Sequence, residues 1–205
     1  FLRGSGIYGD SVRVKYSNND LSLRPFGLFE NDLEVDFHQK VHPHVVTQIL
    51  ACCTRDKNGD TPDQTFFWNL TIGKRIECLL TIATLGNSAD LSVRLPCLNE
   101  VCKEQMEIDI SLESLFSLQQ QQNDDNDHVM IQIGDERIPV RKPTGSDQIE
   151  WLKRSFTDKD EAVKAMIQTL MSKPASFNQE YPISDEWIST LDSTMEDYDP
   201  LVNFS

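Results

Sequence analysis

The stretch "HVMIQIGDERIPVRKPTGSDQIEW", His128 to Trp151, constrains the fold more than any other part of the chain. Val129, Ile131 and Ile133 alternate with polar residues, the period of a strand with one buried face. The pattern stops at Gly134-Asp135 and resumes with Ile138 and Val140, which predicts a β-hairpin closed by a two-residue turn. Pro143, Thr144 and Gly145 then break the strand, and Ser146 is placed as the N-cap of a helix running through "DQIEWLKR". The break has the look of a phosphate-binding loop. It lacks the G-x-x-x-x-G-K-[ST] pattern, however, so no backbone cradle for phosphate is specified.

The rest of the chain repeats the two periods. "SVRVKY" alternates as a strand, and "LSLRPF" and "LEVDF" carry shorter versions, so the first forty or so residues read as β. In "HPHVVTQILACC", Val45, Val46, Ile49, Leu50 and Cys53 fall at helical spacing, with Pro43 in the first turn. "LTIGKRIECLLTIATLG" predicts a helix with Ile72, Ile76, Leu79, Leu80 and Ala83 as its buried face and Gly86 as its stop. "ADLSVRL" and "QMEIDI" are two strands placed to pair across "PCLNEVC". Thr157 is expected to cap "DKDEAVKAMIQTLM", and Ser184 "DEWISTLDSTMED". The expected architecture is α+β in two small mixed halves, each with short antiparallel strands or a hairpin followed by packed helices. Residues 1–118 form the first half, 119–127 a polar linker ("QQQQNDDND" lies across it), and 128–205 a hairpin with three helices. A shared order of strands, helices and an acidic step into a strand ("NSADLSVRL", "EDYDPLVNF") suggests a degenerate internal repeat that matches Leu21–Leu95 to Ile133–Phe204. The start without Met and the strand-like end "DYDPLVNFS" lead us to expect that the natural protein continues beyond both ends.

Charge excludes one class of partner. The formal net charge of −14 leaves no basic surface to release counterions from a nucleic-acid backbone. It suits docking onto a basic protein surface. The acid is uneven: after Lys173 there is no Lys or Arg, whereas Glu196, Asp197 and Asp199 fall close together. No apolar run approaches the roughly 20 residues of a membrane helix, so no membrane insertion is expected. The odd count of five cysteines fits a reducing, cytoplasmic compartment better than a disulfide framework.

Candidate chemistry is sparse. Cys97 and Cys102, in a knuckle between two strands, are the candidate metal ligands, and zinc is the one cofactor they suggest. Zinc needs four donors; Cys52-Cys53 are adjacent in a helix, and Cys78 stands alone. His38, His42 and His44 read as surface or capping residues, and "DKNGD" as a loop without the distant Glu of a calcium site. No Ser-His-Asp, Cys-His or paired-carboxylate arrangement is set out by spacing, so neither an enzyme nor a small-molecule substrate is expected.

Several stretches, taken in order, resemble one family: the small baseplate assembly proteins of T4-type contractile phage tails and related contractile injection systems. "LSLRPFGLFENDL" stands where that family opens with an Arg-Pro and Thr-Gly pattern. "NLTIGKRIECLLTIATLGNSADLSVRLPC" is similar to its Gly-Asp-Arg step, Leu-rich helix, strand and cysteine knuckle, and "QMEIDISLESL" to the strand after it. "IPVRKPTGSDQIEWL" resembles its Pro-Thr-Gly-x-Asp signature, and "LDSTMEDYDPLVNF" its acidic lead into a further strand. Lys74 stands in place of the family's Asp, and four residues separate Cys97 from Cys102 where the family has two. The resemblance implies a non-enzymatic structural or assembly component of a baseplate, whose partners are other baseplate or tail proteins. It would be cytoplasmic during assembly and could end in the finished particle. It makes Arg141, Pro143, Thr144, Gly145 and Asp147 scaffold. Partner contacts are expected from Arg141 and from the acidic Glu196, Asp197 and Asp199; Trp68, Trp151 and Trp187 are candidate aromatic anchors, with core packing as their other reading. The alternative is a zinc-knuckle adaptor in a cytoplasmic complex, held together by Cys97 and Cys102.

Overall fold

The computed structural model describes residues 12–16, 19–86, 91–97, 104–111, 114, 117, 128–133, 135–171 and 183–198. The linker at 119–127, Cys102, Asp199 and the terminal "DPLVNFS" lie outside them. The fold is α+β, with six helices and short antiparallel strand pairs among the described residues. No described helix is long and apolar enough to cross a membrane.

The first unit opens with β1 (Val12–Tyr16) and β2 (Asn19–Leu23), an antiparallel hairpin. A short 3-10 turn at Glu30–Glu34 follows, then α1 (His42–Cys53) and the two-residue strand β3 (Thr54–Arg55), which pairs back onto β2. Next come α2 (Gln64–Asn69) and α3 (Ile72–Leu85), and then the antiparallel pair β4 (Leu91–Pro96) and β5 (Gln105–Ile110). The second unit repeats the scheme: a hairpin of β6 (His128–Ile133) and β7 (Glu136–Arg141), then α4 (Gly145–Lys153), α5 (Lys159–Leu170) and α6 (Asp185–Tyr198).

The repeat holds in register. Val12 pairs with Leu23 and Val129 with Val140, each member displaced by 117 positions. The hairpins close at Tyr16–Asn19 and Ile133–Glu136, the same displacement. Helices α1 and α5 start and end 117 positions apart. After each helix the chain returns to the second hairpin strand, through Leu23–Thr54 in one unit and Val140–Met171 in the other, again 117 apart. The core follows: Leu23, Leu50 and Cys53 correspond to Val140, Ile167 and Leu170, all buried. The 14-residue helices α3 and α6 match with a step of 113, which places Cys78 and Ile82 against Leu191 and Met195. Full burial of each large apolar side chain contributes about 1.5–3 kcal/mol, and each unit gathers its own cluster of them. This register corrects the matching expected from sequence, which set Leu21 against Ile133: Tyr16 stands there, and Leu21 falls opposite Ile138. The expected closing strand in "EDYDPLVNF" lies largely outside the described residues, and α6 stands where the first unit places α2 and α3.

Three local expectations are corrected. "LEVDF" is no strand: the chain there turns through the 3-10 segment because Asp32 is drawn inward, leaving Leu33 and Phe37 exposed. Ser146 is not the N-cap of α4. Thr144 is, its Oγ1 accepting from the Asp147 N–H while the Asp147 carboxylate accepts from the Thr144 N–H, a reciprocal capping pair. Asp158, not Thr157, caps α5, with Thr157 donating to Glu161. The Ser184 hydroxyl accepts from the Trp187 N–H at the start of α6, as expected.

Candidate functional site

Each hairpin ends in an arginine, and each arginine builds the corner that follows. In the second unit, Arg141 closes β7 and forks onto Asp147 with hydrogen bonds of 2.5 and 2.6 Å. Asp147 also accepts from Thr144 N (2.8 Å) and Oγ1 (2.8 Å). Burial opposes ionisation of Asp147, but the Arg141 guanidinium and the Thr144 donors outweigh it and hold the carboxyl below the usual Asp range. The first unit has the same device after β2. Arg24 forks onto Asp32 at 2.6 and 2.8 Å, and the Asp32 carboxylate takes the N–H groups of Gly27, Leu28 and Phe29. This pair is more deeply buried, with side chains 6% and 0% exposed. Burial again works against the Asp32 charge, and again Arg24 and the backbone donors prevail, so its pKa is lowered.

The second corner is covered by the first unit. Thr71, between α2 and α3, forms an antiparallel bridge with Thr144. The Ile72 N–H donates to Pro143 O (2.8 Å), the Gly145 N–H to Leu70 O (3.2 Å), and Ser146 Oγ to Trp68 O (3.3 Å). Ile72 packs against the core of the second unit. Thr71 meanwhile caps α3 through the Lys74 N–H, so the bridge ties the start of α3 to the start of α4.

Arg75 locks this joint from behind. It is 2% exposed and donates to Phe67 O (2.7 Å), Pro43 O (2.9 Å) and Thr47 Oγ1 (3.0 Å), with its guanidinium 5.1 Å from the centre of the Trp68 ring. All three acceptors are neutral. Burial therefore lowers its pKa, to about 10, and the side chain stays charged at neutral pH. Its guanidinium lies so close to Gly145 that a Cβ there would sit 2.7 Å from Nη1 and 2.9 Å from Cζ.

The residues expected to meet partners separate sharply. Trp187 is 2% and Trp151 9% exposed, both in the second core, so neither offers its ring as a surface anchor. Trp151 Nε1 instead donates to Thr169 Oγ1 at 3.1 Å. Trp68 is half-buried, edge-on to His44 and next to Arg75. Arg141 is engaged with Asp147. Glu196 and Asp197 are exposed on the last turn of α6, and Asp199 lies outside the described residues. Cys97 is a half-buried free thiol whose N–H donates to Glu104 O, closing the β4–β5 hairpin; Cys102 is outside the described residues. Among the described residues no group of three or more His, Cys, Asp or Glu is placed to hold a metal ion.

Sequence reading missed the first corner and its surroundings. A signal was present: "RPFGLFEND" carries the Arg, Pro, Gly and Asp of "RKPTGSD", with four residues between Gly and Asp where the second has a single serine. No family model matches this sequence, and no curated protein or solved structure matches it at a significant level.

Proposed function

We propose that this protein is a non-enzymatic structural or assembly component of a phage tail baseplate or contractile injection system, and that it binds neighbouring baseplate proteins. One observation supports the reading above others. The two stretches closest to the family pattern, "LTIGKR" and "IPVRKPTGSD", lie far apart in sequence and meet at the Thr71–Thr144 bridge. Their polar groups are spent on each other: Arg141 on Asp147, Thr144 on Asp147, and Arg75 on the carbonyls beneath the joint. A ligand loop keeps donors free to meet its ligand. Here the signature residues fix the joint between two units, as a scaffold requires. The strongly acidic balance adds a surface suited to basic neighbours.

The test is particle composition. Purified tails or injection particles from the natural source are analysed by quantitative mass spectrometry and cryo-electron microscopy, beside particles made without this chain. The reading expects either a fixed copy number at the baseplate or a loss of baseplate assembly. Normal particles made without the chain, and no copy of it in ordinary particles, overturn it. Reversing the charge of the exposed Glu196 and Asp197 to Lys is expected to weaken co-purification of partners while leaving the melting temperature within about 2 °C, because surface changes move stability by under about 0.5 kcal/mol.

A further inference from the structure

The corners of the two units are built alike but finished differently. The second is capped by Leu70, Thr71 and Ile72, with Ile72 packed into the core it covers and Arg75 lying against Gly145. The corresponding corner of the first unit carries a bare apolar surface: Leu28 is 64%, Phe29 43%, Leu33 85% and Phe37 60% exposed. The backbone beneath them and the two aromatic rings are held in place. The Asp32 carboxylate pins the backbone of Gly27, Leu28 and Phe29, Arg24 lies 4.3 Å over the Phe29 ring, and Phe37 meets Phe26 edge-on at 5.9 Å. A buried ion pair that presents outward apolar groups is a preorganised binding surface, which lowers the ordering cost of association. Four large apolar side chains exposed within ten residues, and rimmed by acids, are the kind of feature that marks an interaction site.

Charge selects the occupant. Glu30, Glu34 and Asp36 are exposed among the apolar side chains. Beside them lies a cleft of about 300 Å³ lined by Asn31, Glu34 and Gln48, among others. Gln48 Oε1 is buried there and accepts no hydrogen bond among the described residues. The cleft therefore offers a carboxylate and an open acceptor, the chemistry that receives a guanidinium or ammonium group. An anionic membrane surface would repel these acids, and a second copy of a chain of charge −14 would set like charges together.

We propose that this corner, Leu28 to Phe37, docks a basic amphipathic helix of another protein, whose apolar side chains cover Leu33 and Phe37 while an Arg or Lys enters the cleft at Glu34 and Gln48. The element the chain lays on its own second corner, Ile72 followed by Lys74 and Arg75, has this same apolar-then-basic composition. The inference holds whether or not the partner is a baseplate protein.

The probe is a synthetic amphipathic helix of Leu and Arg about 18 residues long, beside a Leu/Glu helix of the same pattern. Titration calorimetry is run on the full chain and on Leu33→Ser/Phe37→Ser, which keeps the charge and changes only exposed positions. Melting curves confirm that the variant folds. The proposal expects the Leu/Arg helix to bind the parent chain at least about tenfold more tightly than the double variant, Glu34→Gln to weaken it further, and the Leu/Glu helix not to bind. Equal binding by the double variant would show bare charge attraction and overturn the proposal. So would equal binding of the Leu/Glu helix. Concentration-dependent sedimentation of the parent chain that the double variant abolishes would assign the corner to a second copy. Loss of pelleting with phosphatidylcholine vesicles in the variant would assign it to a membrane.

Discussion

Gly145→Ala probes the joint between the units most directly. Gly145 is the first residue of α4, and the gain of about 0.5–1 kcal/mol that alanine brings over glycine in a helix interior is an upper bound there. Here the new methyl group would lie 2.7 Å from Arg75 Nη1 and 2.9 Å from Cζ, closer than real Cβ atoms approach a neighbour, and 3.1 Å from Nε, tighter than nearly all Cβ contacts. The guanidinium has little room to move. It is 2% exposed and fixed by Phe67 O, Pro43 O and Thr47 Oγ1, so a shift that clears the methyl group stretches hydrogen bonds to a charged donor worth about 1.5–3 kcal/mol each. Overpacking of this kind costs about 1–3 kcal/mol, which outweighs the helix gain. At roughly 3 °C per kcal/mol for a chain of this size, the melting temperature should fall by several degrees. The double-mutant cycle with Arg75→Lys, read by urea denaturation, separates this clash from a general defect at the helix start. Lysine keeps the charge and gives up the rigid planar fork, so Gly145→Ala should cost less in that background, with a coupling of at least about 1 kcal/mol. Gly145→Ala as stable as the parent, or strictly additive with Arg75→Lys, would refute the packing argument.

The two Arg–Asp corners predict a pH dependence. Asp32 and Asp147 both titrate below their ordinary range when folded. Their stabilisation is thus full above the unfolded value near pH 4 and is lost as pH falls through the lower folded values. Asp32→Asn and Asp147→Asn should each lower stability at pH 7 and flatten its decline below about pH 4, as followed by urea midpoints; unchanged acid profiles would refute the pairing. Cys53 and Cys78 are buried, and burial pushes both thiols up to about 12. Mass-spectrometric labelling should therefore modify the half-buried Cys97 well before either, and both should react only on unfolding.

What the sequence disclosed follows from how local each signal is. The second hairpin was legible because strand period and a two-residue turn are set by neighbouring residues, and the turn came out at Ile133–Glu136. The buried face of α3 was not legible. Hydrophobicity pointed to Ile72, Ile76, Leu79, Leu80 and Ala83, whereas Lys74, Arg75, Glu77, Cys78, Thr81 and Ile82 are buried. Those charges are tolerated because Lys74 pairs with Glu77 at 2.7 Å and Arg75 finds carbonyls on α1 and α2. No count along one helix reveals acceptors on two others. Trp151 and Trp187 are aromatic enough for a surface anchor or for the core, and only their neighbours place them in the core. The strand-to-helix corner at Pro143–Gly145 was marked by its turn residues, but its twin at Arg24–Asp32 was hidden by the longer spacing between Gly27 and Asp32.

That difference in spacing also decides how each corner binds. In the second unit the tight "TGSD" turn brings Asp147 back to Thr144 alone, so the Gly145 N–H is left for Leu70 O and the Pro143 carbonyl for the Ile72 N–H. The corner can then be joined through its backbone. In the first unit the three added residues let Asp32 reach the N–H groups of Gly27, Leu28 and Phe29 together. Those donors are satisfied internally, and a partner gains little by offering carbonyls to them. What remains for recognition is side chains: four exposed apolar groups and the acids between them. Backbone joining suits a permanent contact within one chain, since it depends little on salt. Recognition by apolar and charged side chains is exchangeable and weakens as ionic strength rises. The duplicated corner thus divides its labour, with one copy holding the molecule together and the other left to meet a neighbour.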